Sequence, residues 1–212
     1  MKKLLWIAAL FISGVMGISG ISNAAHMPDS MSSKSEVELR MNMRKLWEDH
    51  ITYTRNYIIS ELAGLEDVDA VTERLLRNQT DLGDAIKPYY GAEAGTKLTS
   101  LLKDHIVVAT EVVKAAKAGD NEALNQANKK WADNAEELAA FLSNANPHWP
   151  KKILAEAFTM HLSFTTDEVV SRLKKKWTAD IAAYDKGHEH MLMVADVLTN
   201  GIVKQFPDKF QK

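Results

Sequence analysis

Residues 39–57 read Leu-Arg-Met-Asn-Met-Arg-Lys-Leu-Trp-Glu-Asp-His-Ile-Thr-Tyr-Thr-Arg-Asn-Tyr. Within them Leu39, Met43, Leu46, His50, Tyr53 and Tyr57 recur at alternating gaps of four and three, the spacing of one face of an α-helix. Just upstream, Ser35-Glu36-Val37-Glu38 has the form of a capping box, in which serine and glutamate satisfy free amides at a helix start. Gly64 supplies the stop. The apolar face carries a histidine near its midpoint, where a helical protein usually places leucine.

The same period continues along the chain. A second helix is expected over 68–87, with Asp67 as cap. Its face holds Val71, Leu75, Leu82 and Ile86, with Gln79 on the same line and Asn78 and Asp81 beside it. Pro88-Tyr89-Tyr90-Gly91 makes a turn. A third helix over 92–118 aligns Leu98, Leu101, His105, Val108, Val112 and Ala115. Gly119-Asp120 reads as stop and restart, and a fourth helix over 121–143 carries Trp131, Leu138 and Phe141. Asn146-Pro147-His148-Trp149-Pro150 breaks the chain. A short helix then runs to about 163 with Leu154, Ala157 and His161 inward.

Thr165-Thr166-Asp167-Glu168 supplies a second capping box and starts the longest helix. Its stripe is Val170, Leu173, Trp177, Ile181, Tyr184, His188, Met191, Ala195, Leu198 and Ile202, ending near Gly201 and Pro207. No alternating strand pattern occurs. The expectation is an all-α fold: an up-and-down antiparallel four-helix bundle with two additional shorter helices, forming one domain over 35–212.

The amino-terminal residues read as an address. Lys2 and Lys3 precede an apolar run from Leu4 to Ile18, and Ser22-Asn23-Ala24 fits a small-x-small cleavage pattern. That run is shorter than the roughly 20 residues a spanning helix needs. Residues 1–24 are therefore expected to be a signal peptide cleaved near Ala24, residues 25–34 a flexible leader, and the mature protein periplasmic or extracellular. No second run approaches membrane length. Cleavage removes two of the 26 basic residues against 28 acidic ones, so the net charge moves from −2 to −4. This balance speaks against nucleic acid or an anionic membrane as the main partner. Cysteine is absent, which leaves no disulfide, thiolate ligand or covalent c-type haem.

The histidines carry the functional expectation. His50, His105 and His188 fall near the midpoints of long helices on their apolar stripes, and His161 does so on a shorter one. In an antiparallel bundle those midpoints share a level, so four imidazoles would converge. Neutral imidazole is the commonest protein ligand for metals, here zinc, copper, iron or nickel. Asp81, Asp104 and Asp185 would serve as carboxylate ligands or would orient the imidazoles. Against this stands the plainer reading, in which each histidine is a core residue bonded to a tyrosine or a carbonyl. His26 and His148 belong to leader and loop, and His190 diverges from His188 on a helix. Met27, Met31, Met41, Met43, Met160, Met191 and Met193 could add copper(I) or haem ligation, but read better as core filler and incidental residues. Arg55 points away from His50 and is expected to pair with an acidic residue on a neighbouring helix.

Glu-x-x-His pairs, His-Glu-x-x-His, phosphate loops, dinucleotide fingerprints and Gly-x-Ser-x-Gly are all missing. An enzyme, with histidine and carboxylate as acid and base, therefore ranks third. A binding protein with a buried metal centre ranks first, and a structural or interaction module with an envelope protein partner ranks second.

Several segments resemble an uncharacterised family of exported bacterial all-helical proteins. They are Leu46-Trp47-Glu48-Asp49-His50 with Arg55-Asn56, Asn78-Gln79-Thr80-Asp81-Leu82-Gly83, Pro88-Tyr89-Tyr90-Gly91 and Leu101-Leu102-Lys103-Asp104-His105. The likeness continues in Asn146-Pro147-His148-Trp149-Pro150, His161-Leu162-Ser163-Phe164-Thr165 and Gln205-Phe206-Pro207. The resemblance implies export and a helical fold. Labels such as glycosyltransferase or acetylglutamate kinase attach to similar sequences, but this chain has neither a nucleotide-sugar Rossmann pattern nor the α/β pattern of an amino-acid kinase. No catalytic residues come with it.

Overall fold

Ser33 opens the first helix, its Oγ accepting from the Glu36 amide at 3.2 Å, two residues before the expected cap. The computed structural model describes residues 32–211. The expected signal peptide, its cleavage at Ala24 and the leader residues His26, Met27 and Met31 lie outside them. The described chain is all-α: α1 (Lys34–Ala63), α2 (Val68–Ala118), α3 (Asn121–Ala145), α4 (Lys151–Leu173), α5 (Trp177–Gln205) and a final 3₁₀ turn, Pro207–Phe210. No strand occurs among the described residues.

α2 is two arms rather than one rod. At Gly91 the backbone takes φ 85° and ψ 170°, a conformation without penalty only for glycine. In a straight helix, residues 83 and 95 would stand about 18 Å apart. Instead a Cβ on Gly83 would meet the Gly95 carbonyl oxygen at 2.5 Å and collide with the Thr99 side chain. The chain doubles back at Gly91, and two glycines let the arms touch backbone to backbone. The expected turn at 88–91 is therefore present, with the helix continuing through Pro88 to Tyr90.

α1 packs on α2 and α5, α2 on α3, α3 on α4, and α4 on α5. Leu39, Met43, Leu46, Trp47 and Ile51 of α1 meet Leu82, Leu98, Leu138, Leu154 and Leu198 in the main core. Along the α1–α5 seam Asp196 accepts from Arg40 at 3.2 Å and from Arg44 at 2.9 and 2.6 Å. At the pole where α3 turns into α4, Asn146 donates to the Tyr90 hydroxyl (2.8 Å), Tyr90 donates to Gln205 (2.9 Å), and Gln205 donates to the Ala145 carbonyl (3.1 Å). Trp149 is fully buried there, seated where a side chain at 201 would be.

The helix boundary near 165 differs from expectation. Thr165 and Thr166 do not cap a new helix. Their hydroxyls bond back one turn, to the His161 carbonyl at 3.0 Å and the Leu162 carbonyl at 2.8 Å, which lets a helix continue. α4 thus runs on to Leu173 and breaks at 174–176. Past the break, Met191, Ala195, Leu198 and Ile202 are buried as expected, but the first turns of α5 leave the expected stripe. The helix's inner face is Asp180, Ala183, Gly187, His190, Met191, Val194 and Leu198, while Trp177 and Ile181, expected inside, are 53% and 52% exposed.

The arm-to-arm contact gives a prediction of sign. An alanine inside a helix normally gains about 1 kcal/mol over glycine. Gly83→Ala is expected instead to lose about 1–3 kcal/mol, because the new methyl has no room against Gly95 and Thr99. Urea denaturation of the variant against the parent measures it.

Candidate functional site: a buried histidine and carboxamide centre

Four helices deliver polar side chains to one buried place. α1 contributes His50, the first arm of α2 Asn78 and Gln79, its second arm His105, α3 Trp131 and Asn134, and α4 His161. All seven are buried, Asn78 and Gln79 completely. The rings of His50 and His161 lie 5.5 Å apart, and those of His105 and His161 6.1 Å.

Two of the histidines come with the same device. One turn before His50, the Leu46 carbonyl accepts from Asn78 Nδ2 at 2.9 Å; one turn before His105, the Leu101 carbonyl accepts from Asn134 Nδ2 at 3.0 Å. Those bonds orient both amides. Asn134 therefore presents its Oδ1 to His105 Nδ1 at 2.8 Å, so that nitrogen carries the proton. His105 Nε2 then accepts from the Trp131 indole at 3.1 Å. His105 is a neutral ring with both nitrogens occupied.

The other half of the centre is less complete. Gln79 Nε2 donates to the Leu75 carbonyl (2.7 Å) and to Asn78 Oδ1 (3.1 Å), and lies 3.4 Å from His50 Nδ1. Gln79 Oε1 and His161 Nδ1 have no partner. A buried polar atom in that state costs about 1–3 kcal/mol.

Burial sets the charge state. It pushes His50 down to about 3 and His105 down to about 4, and holds His161 well below the ordinary imidazole value. Charge on one imidazole further opposes charge on the next: His105 on His50, and both on His161.

The expected metal set does not assemble as a group. His50, His105 and His161 meet, but His188 is half-buried away from them, toward α1, with Nε2 3.5 Å from Glu48. Its place beside α4 is taken by His190, which is buried, bonds the Ala157 carbonyl at 2.8 Å and packs on Phe164. Asp104 and Asp185 are exposed and Asp81 is half-buried; none bonds a histidine. Among the described residues no three His, Asp or Glu side chains are placed to hold a metal ion together. Met43 and Met191 are core residues, and Met41, Met160 and Met193 are exposed. Two apolar voids of about 20 Å³ lie in the core, without a histidine in their walls, and neither has room for a substrate.

A second polar cluster ties α1, α4 and α5 together. Arg55 donates to Glu168 at 2.7 Å and grips Asp180 with both terminal nitrogens; Arg172 reaches the same Asp180 at 2.9 Å. This is the ion pair expected for Arg55. Burial nevertheless pushes Glu168 up to about 7, with the nearby charge of Asp180 adding to it and Arg55 and Arg172 opposing it.

Neither a family model, nor a curated protein, nor a solved structure matches the chain.

The pH dependence follows from these shifts. Below the unfolded imidazole value of about 6.5 the unfolded chain takes up protons that the folded centre refuses, so each histidine removes up to about 1.4 kcal/mol per pH unit. For His50 and His105 the loss runs down to their folded values of about 3 and about 4. Glu168 acts oppositely between its ordinary value and about 7, but it is one group against three. Stability in urea is expected to fall by several kcal/mol from about pH 7 to about pH 5. A flat profile would show that the imidazoles are not held neutral.

Proposed function

We propose that the protein is an exported helical interaction module of the cell envelope, and that its buried centre is a neutral core fixing how the helices pack. One observation carries the reading: among the described residues, eight of the twelve exposed large apolar side chains fall between Ile153 and Val197, on α4 and α5. Ile153, Met193 and Val197 line one recess and Leu173 and Trp177 another, and exposed apolar side chains grouped in this way mark interaction sites. The up-and-down antiparallel bundle, the export route and membership of the exported helical family belong to the same proposal.

A second reading is favoured by the unpaired atoms. The transition-metal centre expected from the sequence would shrink to His50 and His161 with the Gln79 carbonyl oxygen, since His105 has no free nitrogen. Two imidazoles and one carboxamide are fewer ligands than zinc takes in a structural site.

Two measurements test the pair. Elemental analysis of the exported protein, purified without a histidine tag, is expected to find no stoichiometric metal, and zinc, copper, iron or nickel to leave its melting unchanged. Near-stoichiometric metal that disappears in His161→Ala would replace the first reading with the second. A photoreactive side chain at position 193, on α5, is expected to give adducts in the envelope that one at position 77, on α2, does not. Equal labelling from both positions would remove the interaction reading.

A further inference from the structure

Three helices end at one pole of the molecule with the same turn. At residues 64, 119 and 175 the backbone is left-handed, with φ of 67°, 70° and 55°. Each turn is closed by the same two backbone bonds: Gly64 to Glu61 and Leu65 to Ser60, Gly119 to Ala116 and Asp120 to Ala115, Lys175 to Arg172 and Lys176 to Ser171. Lys117 bonded to Glu61 (3.1 Å), and a recess shared by Ala63, Arg172 and Trp177, put these turns at the same pole. Glycine suits the position, and the chain uses it twice. The third turn has lysine, the only non-glycine residue with positive φ among the described residues, at a cost in stability.

That lysine sits in unusual company. Lys174, Lys175 and Lys176 are all exposed, and none has an ion-pair partner among the described residues; the local carboxylates Glu168 and Asp180 are taken by Arg55 and Arg172. Flanking them, Leu173, Trp177 and Ile181 are 39%, 53% and 52% exposed. Between Leu62, Leu173, Lys175 and Trp177 lies an open recess of about 260 Å³. In a chain of net charge −2, these three cations are a local exception.

The two halves of this edge want different things from one partner. A free phosphate would use the lysines and leave the tryptophan idle, and an apolar protein surface would leave three ammonium groups unpaired. An anionic bilayer answers both, with ammonium groups at headgroup phosphates and an indole at the interface. We propose that the α4–α5 turn, residues 173–181, docks the protein onto an anionic lipid surface. Lys174, Lys175 and Lys176 contact headgroups, and Leu173, Trp177 and Ile181 enter the interfacial layer. The neighbouring turns carry Glu66, Asp67 and Asp120, so the molecule leans onto its α4–α5 edge with those turns held away. The proposal adds a lipid contact at the α4–α5 turn to the interaction-module reading and rests on it.

The test uses the exported protein with vesicles of phosphatidylcholine alone or mixed with phosphatidylglycerol. Every variant carries the same amino-terminal residues, so differences among them report on the turn. The parent is expected to sediment with the anionic vesicles only, and less as salt rises. Replacing all three lysines by glutamine is expected to weaken binding on the order of a hundredfold, given about fivefold per lysine near such a surface. Trp6 leaves with the expected signal peptide and Trp47, Trp131 and Trp149 are buried, so a blue shift in fluorescence on binding should vanish in Trp177→Phe. Lys175→Gly separates function from structure: it should melt higher than the parent yet bind several-fold more weakly. Equal binding by the parent and the triple variant overturns the proposal. So does indifference to vesicles with retention on polyglutamate, which would leave the interaction module standing with an acidic protein as its partner.

Discussion

Imidazoles whose rings stand 5.5 and 6.1 Å apart can share a dry interior only while all of them stay neutral, and that constraint organises the centre of the molecule. Neutral imidazole has one donor and one acceptor, each needing a partner where water is excluded. The partners come from other helices. His105 is answered from α3 by Asn134 and Trp131, and the backbone just before His50 is answered from α2 by Asn78. Each amide also holds a carbonyl on the histidine's own helix, so two helices are fixed in height and rotation by one side chain. An apolar core of the same volume would tolerate sliding and repacking. The bonded amides and imidazoles here do not, although two atoms, at Gln79 and His161, are left unpaired.

The ion network near the opposite pole does comparable work with charge. Asp180 is almost fully buried and receives Arg55 from α1 and Arg172 from α4. The residue thus fixes the start of α5 against both neighbours, across the turn at 174–176. Removing one member of such a buried group leaves an uncompensated charge, which typically costs 3–5 kcal/mol. With its anchors inside, the turn can expose three lysines and a tryptophan without losing its place. The arginines serve the interior and the lysines remain free, which matches their chemistry: a guanidinium forks onto carboxylates, while an ammonium stays hydrated.

Much of this was legible in the sequence, unevenly. The period of Leu39 to Tyr57 and the turn signals at Gly64, Gly91, Gly119 and Asn146–Pro150 suffice for an all-helical chain and for most boundaries. Three of the four expected histidines meet, because α1, the second arm of α2 and α4 were read in their true phase. His188, like Tyr184, is only half-buried, at the margin of the inner face that Met191, Ala195 and Leu198 occupy as expected. Thr165–Glu168 has the letters of a capping box, but a threonine hydroxyl can equally bond back to the preceding turn, and sequence alone does not distinguish the two. Placing the break near 165 rather than at 174–176 carried one stripe across it, turning Trp177 and Ile181 inward. Asn134 and Trp131 gave a weaker signal. A carboxamide on an amphipathic helix looks like any other polar residue until the carbonyl it must hold is seen on the facing helix.

Charge shows the same limit. A net value near zero argues against a polyanionic partner only if charge is spread evenly, and here it is sorted by position. Carboxylates Glu168 and Asp180 are withdrawn into the interior with the arginines, and Asp196 is bound by Arg40 and Arg44. The surface a partner meets at the α4–α5 turn is therefore more basic than the residues around it in sequence imply. Field strength at a protein surface falls away over about one Debye length, some 8–10 Å at ordinary salt, so a partner at this edge feels the three lysines before it feels the whole chain. The left-handed backbone of Lys175 has no trace in composition. A helix end that would be more stable with glycine, as at Gly64 and Gly119, carries an exposed lysine instead.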